Sequence, residues 1–372
     1  MADRFSLKDH LFNAETVAQL GGHFEMAGVF RADPFVQDVM AQMPALELMA
    51  RVQMIAEVLT AHLPPEFPAA ADAITAALPP PLDPTLSDDD FGHFIYAPLG
   101  VYVEKHGVAD HRDRSLDLLE QITQRFSMEF AIRAFLNHWP DATLERMQNW
   151  VGHDHYHVRR LVSEGTRPKL PWGKAVRLEA AQTLPLLDQL HGDPTRFVTR
   201  SVANHLNDIA RTDPDAVITR LQGWQKADAQ SSKELTWMRK HALRNLIKAG
   251  HAGAMLHLGY RPDLPVELID FTITPATIPR GGTAVIAVTL TTVTDAPLIV
   301  DYVIDFVKAN GKTAPKVFKL KVLDAKAGKP LVLKKKQVFK DNATTFTLHP
   351  GAHMLHVQMN GRIIGSQGFI LT

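Results

Sequence analysis

The chain of 372 residues has no cysteine, which excludes disulfide frameworks and thiolate metal sites. No run of 18 uncharged apolar residues occurs, and the opening MADRFSLKDHLFNAETV lacks the apolar core of a secretory signal. A soluble cytoplasmic protein with no membrane partner is therefore the expectation. There is no glycine-rich phosphate loop and no G-x-S-x-G nucleophile motif. Net charge is also missing, with 40 basic and 40 acidic side chains. That balance hides an asymmetry: residues 1–125 hold 8 basic and 19 acidic groups, residues 126–264 hold 19 and 14, and residues 265–372 hold 13 and 7. A basic middle and end point to a polyanionic partner.

The length favours two domains, and the hydrophobic period changes near Tyr260. Before it, AETVAQLGGHF, MPALELMARVQMIAEVLTAHL and SLDLLEQITQRFSMEFAIRAFLNHW place apolar residues three and four apart, as helices require. The methionines between Met40 and Met54 read as adaptable core filler. LPPPLDPTLSDDDF is broken by proline and predicts a surface loop, with Asp88 to Asp90 as an acidic cluster at a helix N-terminus. After Tyr260, short runs such as AVIAVTLTTV, PLIVDYVIDFV, KVFKLKVL and HMLHVQM alternate apolar with polar residues. ANGK at 309–312 and MNGR at 359–362 supply hairpin turns. Roughly seven strands of this kind suggest an immunoglobulin-like sandwich, which needs no disulfide. The boundaries expected are 1–262 for the helical domain and 263–372 for the sandwich.

The helical part repeats. PDATLERMQNW at 140–150 and PDAVITRLQGW at 214–224 share P-D-A-x-x-x-R-x-Q-x-W. Arg159, Arg200 and Arg239 recur at intervals near 40. Helix pairs with that period predict a HEAT-like repeat solenoid. The repeated arginines line a concave face or stand as solvated outer charges; spacing does not decide. Trp150 and Trp224 sit in register and read as core.

HDHYH at 153–157 has the composition of a metal site. At helical spacing His153 and His157 share a face with Asp154 nearby, but no third ligand is set by sequence. Partly exposed helix residues are the plainer account.

Three segments carry a resemblance. ITQRFSMEFAIRAFL (122–136), VRRLVSEGTRPKLPWG (158–173) and VTRSVANHLNDIARTDPDAVITRLQGW (198–224) are similar to the bacterial alkylpurine DNA glycosylases of the AlkC and AlkD superfamily. The similarity spans roughly 115–250, and S-E-G-T-R-P-x-L-P-W-G is its most specific string. A C-terminal immunoglobulin-like domain points to the AlkC branch. The resemblance implies an α-helical HEAT-like repeat solenoid followed by an all-β immunoglobulin-like sandwich. It implies base-excision repair: hydrolysis of the N-glycosidic bond of cationic alkylated bases, 3-methyladenine and 3-methylcytosine, in duplex DNA without base flipping. No metal or organic cofactor is implied, and a monomer that reaches the nucleoid when bound to DNA is expected.

By the same resemblance Glu164, Asp208, Trp172 and Glu129 match catalytic positions. A methylated, cationic base leaves without protonation, so the enzyme has to stabilise positive charge on the sugar and place a water. A desolvated carboxylate does both. The plainer accounts are an inter-repeat hydrogen bond for Asp208 and a helix pair with Arg133 for Glu129. Arg159, Arg160, Arg167, Lys169, Arg200, Arg239 and Arg244 are candidates for phosphate contacts, joined by Lys334 and Lys336 of the sandwich. The same lysines suit an edge strand guarded against pairing. The alternative function is a non-enzymatic HEAT-repeat protein that binds branched or damaged DNA; a protein scaffold would show no salt-sensitive DNA binding.

Overall fold

The computed structural model describes residues 6–88, 90–341 and 347–372. Helices run in the order α1 Leu7–Leu11, α2 Ala14–Met26, α3 Ala32–Gln42, α4 Leu48–His62, α5 Phe67–Ala77, α6 Ala97–Gly107, α7 Arg112–Thr123 and α8 Ile132–His138. They continue as α9 Pro140–Trp150, α10 Tyr156–Gly165, α11 Ala180–Leu190, α12 Arg196–Ile209, α13 Pro214–Ala227, α14 Ser232–Ala242, α15 Arg244–Ala249 and α16 Ala252–His257. Eight strands follow: β1 Val266–Thr274, β2 Thr277–Ile278, β3 Thr283–Thr292, β4 Ala296–Val307, β5 Thr313–Ala325, β6 Leu331–Val338, β7 Gly351–Met359 and β8 Arg362–Leu371. The chain divides into two compact units, one running to Ile209 together with Gly223–Ala242, the other comprising Ala210–Gln222 and Leu243–Thr372.

In the first unit α10 packs on α12 and α12 on α14, while α9 and α11 pack against α10, and α11 also against α12. Arg159, Arg200 and Arg239 fall on α10, α12 and α14, so the period of about 40 is the spacing of one helix layer. The tryptophans of the longer repeat do matching work. Trp150 is 2% exposed and its Nε1 donates to Glu120 of α7 at 2.5 Å. Trp224 is 3% exposed and donates to Asp188 of α11 at 2.7 Å. Each indole fills core while a carboxylate satisfies its buried N–H. In α12 the burial extends to polar side chains: Ser201, His205, Asn207 and Asp208 are all buried beside Val202, Leu206 and Ile209. Buried polar groups are the informative exception in a helical core.

The proline-broken segment is a loop, but its acids do not form a helix N-terminal cluster. Asp88 pairs with Arg200, the Asp90 carbonyl faces His157, and Asp89 lies outside the described residues.

The sandwich has a three-stranded sheet in the order β1-β3-β6 and a five-stranded sheet in the order β2-β8-β7-β4-β5. Neighbouring strands are antiparallel except β2 and β8. Ile286, Tyr302, Ile304, Leu355 and Phe369 form one core cluster between them, and Val288, Leu290, Val300 and Val357 another. Among the described residues eight strands form where about seven were expected. The two-residue β2 is too short to alternate, and a bulge between Leu268 and Asp270 interrupts the alternation of β1. Asn360 (φ 45°) and Gly361 (φ 84°) make the two-residue β7–β8 turn with Met359 opposite Arg362, the positive-φ pair that Asn-Gly favours. That turn meets the end of α15: a Cβ on Gly250 would lie 2.3 Å from the Gly361 carbonyl oxygen. Asn360 Nδ2 donates to the Arg261 carbonyl at 3.0 Å, and the Ile299 N–H donates to Asn360 Oδ1 at 2.9 Å. These contacts tie the α15–α16 segment to the sandwich.

Lys334 and Lys336 stand opposite Ala287 and Val285, on the outer face of the three-stranded sheet. Strand alternation also predicts that Lys319 and Lys321 share a face. Both lysines are exposed on either side of Leu320, which packs on the core, and a register shift beside them sets Lys319 opposite Asp301 and Lys321 opposite Val300.

Candidate active site

The site is built by α10, α12 and the turn that follows α10. Arg160 and Glu164 are four apart on α10 and share a face. The helix ends at Gly165, and Arg167 follows before Pro168 stops further winding. Ser201, His205 and Asp208 are spaced by four and three on α12, so they form one stripe toward α10.

Glu164 has both oxygens occupied. Arg167 Nη1 donates to Oε1 at 2.6 Å, and Ser201 Oγ donates to Oε2 at 2.6 Å. Arg160 Nη2 lies 3.7 Å from Oε2. The second arm of Arg167, Nε, donates to Asp208 Oδ2 at 2.9 Å, so one guanidinium joins the two carboxylates. The Glu164 and Asp208 side chains are 6% and 5% exposed. Burial alone would raise the Glu164 pKa; Arg160, Arg167 and the Ser201 hydroxyl outweigh it and hold the carboxyl below the usual range. Glu129 and Glu164 outweigh burial at Arg160, as Glu164 and Asp208 do at Arg167, and both guanidiniums are raised. Glu164, Arg160 and Arg167 are therefore charged at neutral pH.

Arg160 extends the network to Glu129, donating to Oε2 at 2.8 Å, and to Ser127 Oγ at 3.0 Å. Its guanidinium also stands 4.4 Å from the centre of the Phe197 ring, a cation–π contact. The helix pair of Glu129 with Arg133 does not form. Arg133 is fully buried and turns to main-chain carbonyls, those of Gly165 at 2.8 Å, Arg167 at 2.9 Å and Lys174. Desolvation lowers its pKa to about 10. It braces the whole turn that carries Arg167 and Trp172. His205 faces the Ser163 carbonyl through Nδ1 at 3.0 Å, and its buried Nε2 has no hydrogen-bond partner among the described residues. Desolvation pushes its pKa to about 3, so the ring is neutral.

Trp172 lies apart from this cluster. It is 75% exposed, has φ 62°, and lines an apolar cavity with Met49, Phe94, Met128 and Phe130. Ser127 lines that cavity too and also contacts Arg160 and Glu129, which connects the two. Lys169 is exposed on the same turn. Arg159 makes a two-armed pair with Asp193 at 2.6 and 3.2 Å and donates to the His153 and Asp154 carbonyls. Arg200 pairs with Asp88 through both arms. Arg239 and Arg244 are half-buried, and Lys334 and Lys336 are exposed.

The sequence did not single out Ser201, Ser127 or His205, and it offered Arg133 only as a helix partner for Glu129. The signal for Ser201 and His205 was present: counting back from Asp208 by three and seven residues on a helix reaches both. HDHYH needs correcting. His153 and Asp154 precede α10, and His155 caps it, accepting from the His157 N–H at 3.2 Å. His155 and His157 are buried, and their Nε2 atoms stand 3.0 Å from the Leu82 and Asp90 carbonyls. They anchor the acidic loop. Among the described residues no three His, Asp or Glu side chains converge as a metal site, and no helix is long and apolar enough to cross a membrane.

Fold and site together define a helical-repeat protein that joins a buried carboxylate–guanidinium cluster to an immunoglobulin-like sandwich. A family model described as DNA alkylation repair enzyme matches residues 109–246, and one described as the C-terminal Ig-like domain of the uncharacterised protein YhaZ matches 267–372. The chain is 32% identical over 369 residues to the uncharacterized protein YhaZ of Bacillus subtilis (strain 168), covering 96% of this chain and 98% of that one. The solved structure of Pseudomonas fluorescens alkylpurine DNA glycosylase AlkC, bound to DNA containing an abasic site analog, matches with a TM-score of 0.87 and 33% identity, over 99% of this chain and 100% of that one. The chain belongs to the DNA alkylation repair enzyme family, in its AlkC-like group with a C-terminal immunoglobulin-like domain.

Proposed function

We propose that this chain is a DNA glycosylase that hydrolyses the N-glycosidic bond of cationic alkylated bases in duplex DNA, 3-methyladenine foremost and 3-methylcytosine as a further substrate. The observation that carries this reading is the pair of buried carboxylates, Glu164 and Asp208, held by the single guanidinium of Arg167. A cationic base departs as a neutral molecule and leaves positive charge on the deoxyribose. Fixed carboxylates in a dry site stabilise that charge without reorganising. Three carboxylates, Glu129, Glu164 and Asp208, face Arg160 and Arg167, while the charge of Arg133 is directed at carbonyl dipoles. This balance leaves the cluster able to attract a cation. One of the two inner carboxylates orients the attacking water and accepts its proton. His205, held neutral, supplies no acid at neutral pH, and a cationic leaving group needs none.

Catalysis without base flipping, a monomeric state, and the two-domain division at residue 262 belong to the same proposal, as do phosphate contacts by Arg159, Arg200, Lys169, Arg239, Arg244, Lys334 and Lys336. Arg160 and Arg167 we assign instead to positioning the carboxylates, because both are engaged within the cluster. The closure of Glu164 by Arg167 and Ser201 favours a second reading, a protein that binds damaged DNA without cleaving it. Incubating the purified chain with methylated duplex DNA and identifying the released bases by mass spectrometry separates the two. Free 3-methyladenine is expected; binding with no released base establishes the second reading.

A further inference from the structure

Arg200 is the middle member of the arginine series on α10, α12 and α14, and its partner is unlike those of Arg159 and Arg167. Asp193, which holds Arg159, also accepts from the Thr195 N–H and hydroxyl and is 3% exposed. Glu164 and Asp208, which hold Arg167, are similarly enclosed. Asp88 comes from the proline-broken loop, 112 residues away in sequence, and the pair is 31% and 23% exposed. The loop is held in place independently of that carboxylate. The Leu82 N–H donates to Gln124 O at 2.9 Å, the His93 N–H to Arg125 O at 3.2 Å, and the Phe197 N–H to Ser87 O at 3.0 Å. His155 and His157 grip the carbonyls of Leu82 and Asp90. Phe91, half-exposed, packs edge-on against Phe197 with ring centres 5.3 Å apart.

We propose that Asp88 is a built-in stand-in for a DNA phosphate: it occupies the guanidinium fork of Arg200 in the free protein and is displaced by the backbone of bound DNA. This rests on the reading of the chain as a DNA-binding protein and adds a regulating contact to it. A carboxylate and a phosphodiester offer the same pair of oxygens to a guanidinium, so Arg200 is pre-shaped for the exchange. The anchored loop keeps the competing carboxylate at high local concentration. Non-specific binding to undamaged DNA is weakened, because each complex has to displace the internal anion first. Asp88 is more exposed than Asp193, Glu164 or Asp208, so a phosphate can reach it and take its place.

The test is DNA affinity of the full chain against salt, using a short duplex with one abasic-site analogue. Asp88→Asn is expected to bind roughly fivefold tighter, with the slope of log affinity against log salt steeper by up to about 0.9, the value of one phosphate contact. Asp83→Asn, an acid of the same loop bonded to Thr85, controls for the general effect of removing a negative charge and is expected to change little. In an Arg200→Gln background the Asp88→Asn gain is expected to vanish. A gain no larger than that of Asp83→Asn, or one that survives Arg200→Gln, overturns the proposal, as does weaker binding, which would make Asp88 a support for Arg200. Wild-type chain that binds no duplex removes the underlying DNA reading as well, so the two failures are distinguishable.

Discussion

Ser201 Oγ stands 2.6 Å from Glu164 Oε2, an α12 hydroxyl donating to a carboxylate at the end of α10. With Arg167 on the other oxygen, Glu164 is held in one orientation by two neighbouring repeats. Ser201→Ala removes a donor without removing charge. Base release is expected to slow by severalfold while DNA affinity stays unchanged, and single-turnover kinetics on methylated duplex measures both.

Glu164→Gln and Asp208→Asn remove charge at near-constant size. Each is expected to slow base release at least tenfold, about 1.4 kcal/mol of transition-state stabilisation. Each also leaves Arg167 partly uncompensated, so stability is expected to fall, by up to about 3 kcal/mol. Urea unfolding beside the kinetic assay separates the two effects. Unchanged base release in both variants removes the assignment.

The depressed pKa of Glu164 gives a pH prediction. A carboxyl whose folded pKa lies below its unfolded value stabilises the fold fully above the unfolded pKa, about 4.3. That contribution is lost as pH falls through the folded value. Wild-type stability is therefore expected to drop below about pH 4.3 more steeply than that of Glu164→Gln. Asp301 has the opposite sign. Burial on β4 raises its pKa to about 6 despite Lys319 and Lys248. The fold then binds the proton more tightly than the unfolded chain, so stability falls as pH rises from about 4 to about 6. Asp301→Asn is expected to flatten that slope and to be more stable than wild type at pH 8, by about 2 kcal/mol. Melting curves across pH test both signs.

Trp172 combines 75% exposure with φ 62°. A core tryptophan cut to alanine costs about 3–5 kcal/mol; here under about 1 kcal/mol is expected. Trp172→Gly is expected to leave the melting temperature equal or higher, because glycine accepts positive φ without strain. Base release is expected to fall in both variants. A large loss of stability would mark the indole as structural.

Truncation at residue 265 is a poor test of the sandwich, because α15 and α16 are fastened to the β7–β8 turn. Lys334 and Lys336 are exposed, so replacing both with serine is expected to leave the fold intact. The salt slope of DNA binding is expected to flatten by about 0.9 for each lysine–phosphate pairing removed. An unchanged slope would leave these lysines as guards of the β6 edge.

Much of this architecture was legible in one dimension. The change of period near Tyr260 marks the shift from helices to strands, because the two backbones repeat their faces at different intervals. The P-D-A-x-x-x-R-x-Q-x-W repeat marked two equivalent helices, since a bulky indole at a fixed place in each unit fills the same gap. The Asn-Gly pair at 360–361 named its turn, because few residues accept positive φ. Glu164, Asp208 and Glu129 were singled out through a family string, which spacing alone would not have supplied. Tertiary structure decided the partners. Glu129 met Arg160 and left Arg133 to three carbonyls, and the apparent metal cluster HDHYH became two buried rings pinning a loop. Asp88 reached an arginine 112 residues away. Local sequence sets the direction in which a side chain leaves its own helix or strand. Which charge it meets depends on how separate helices stack, and that choice is made by burial of the apolar faces between them.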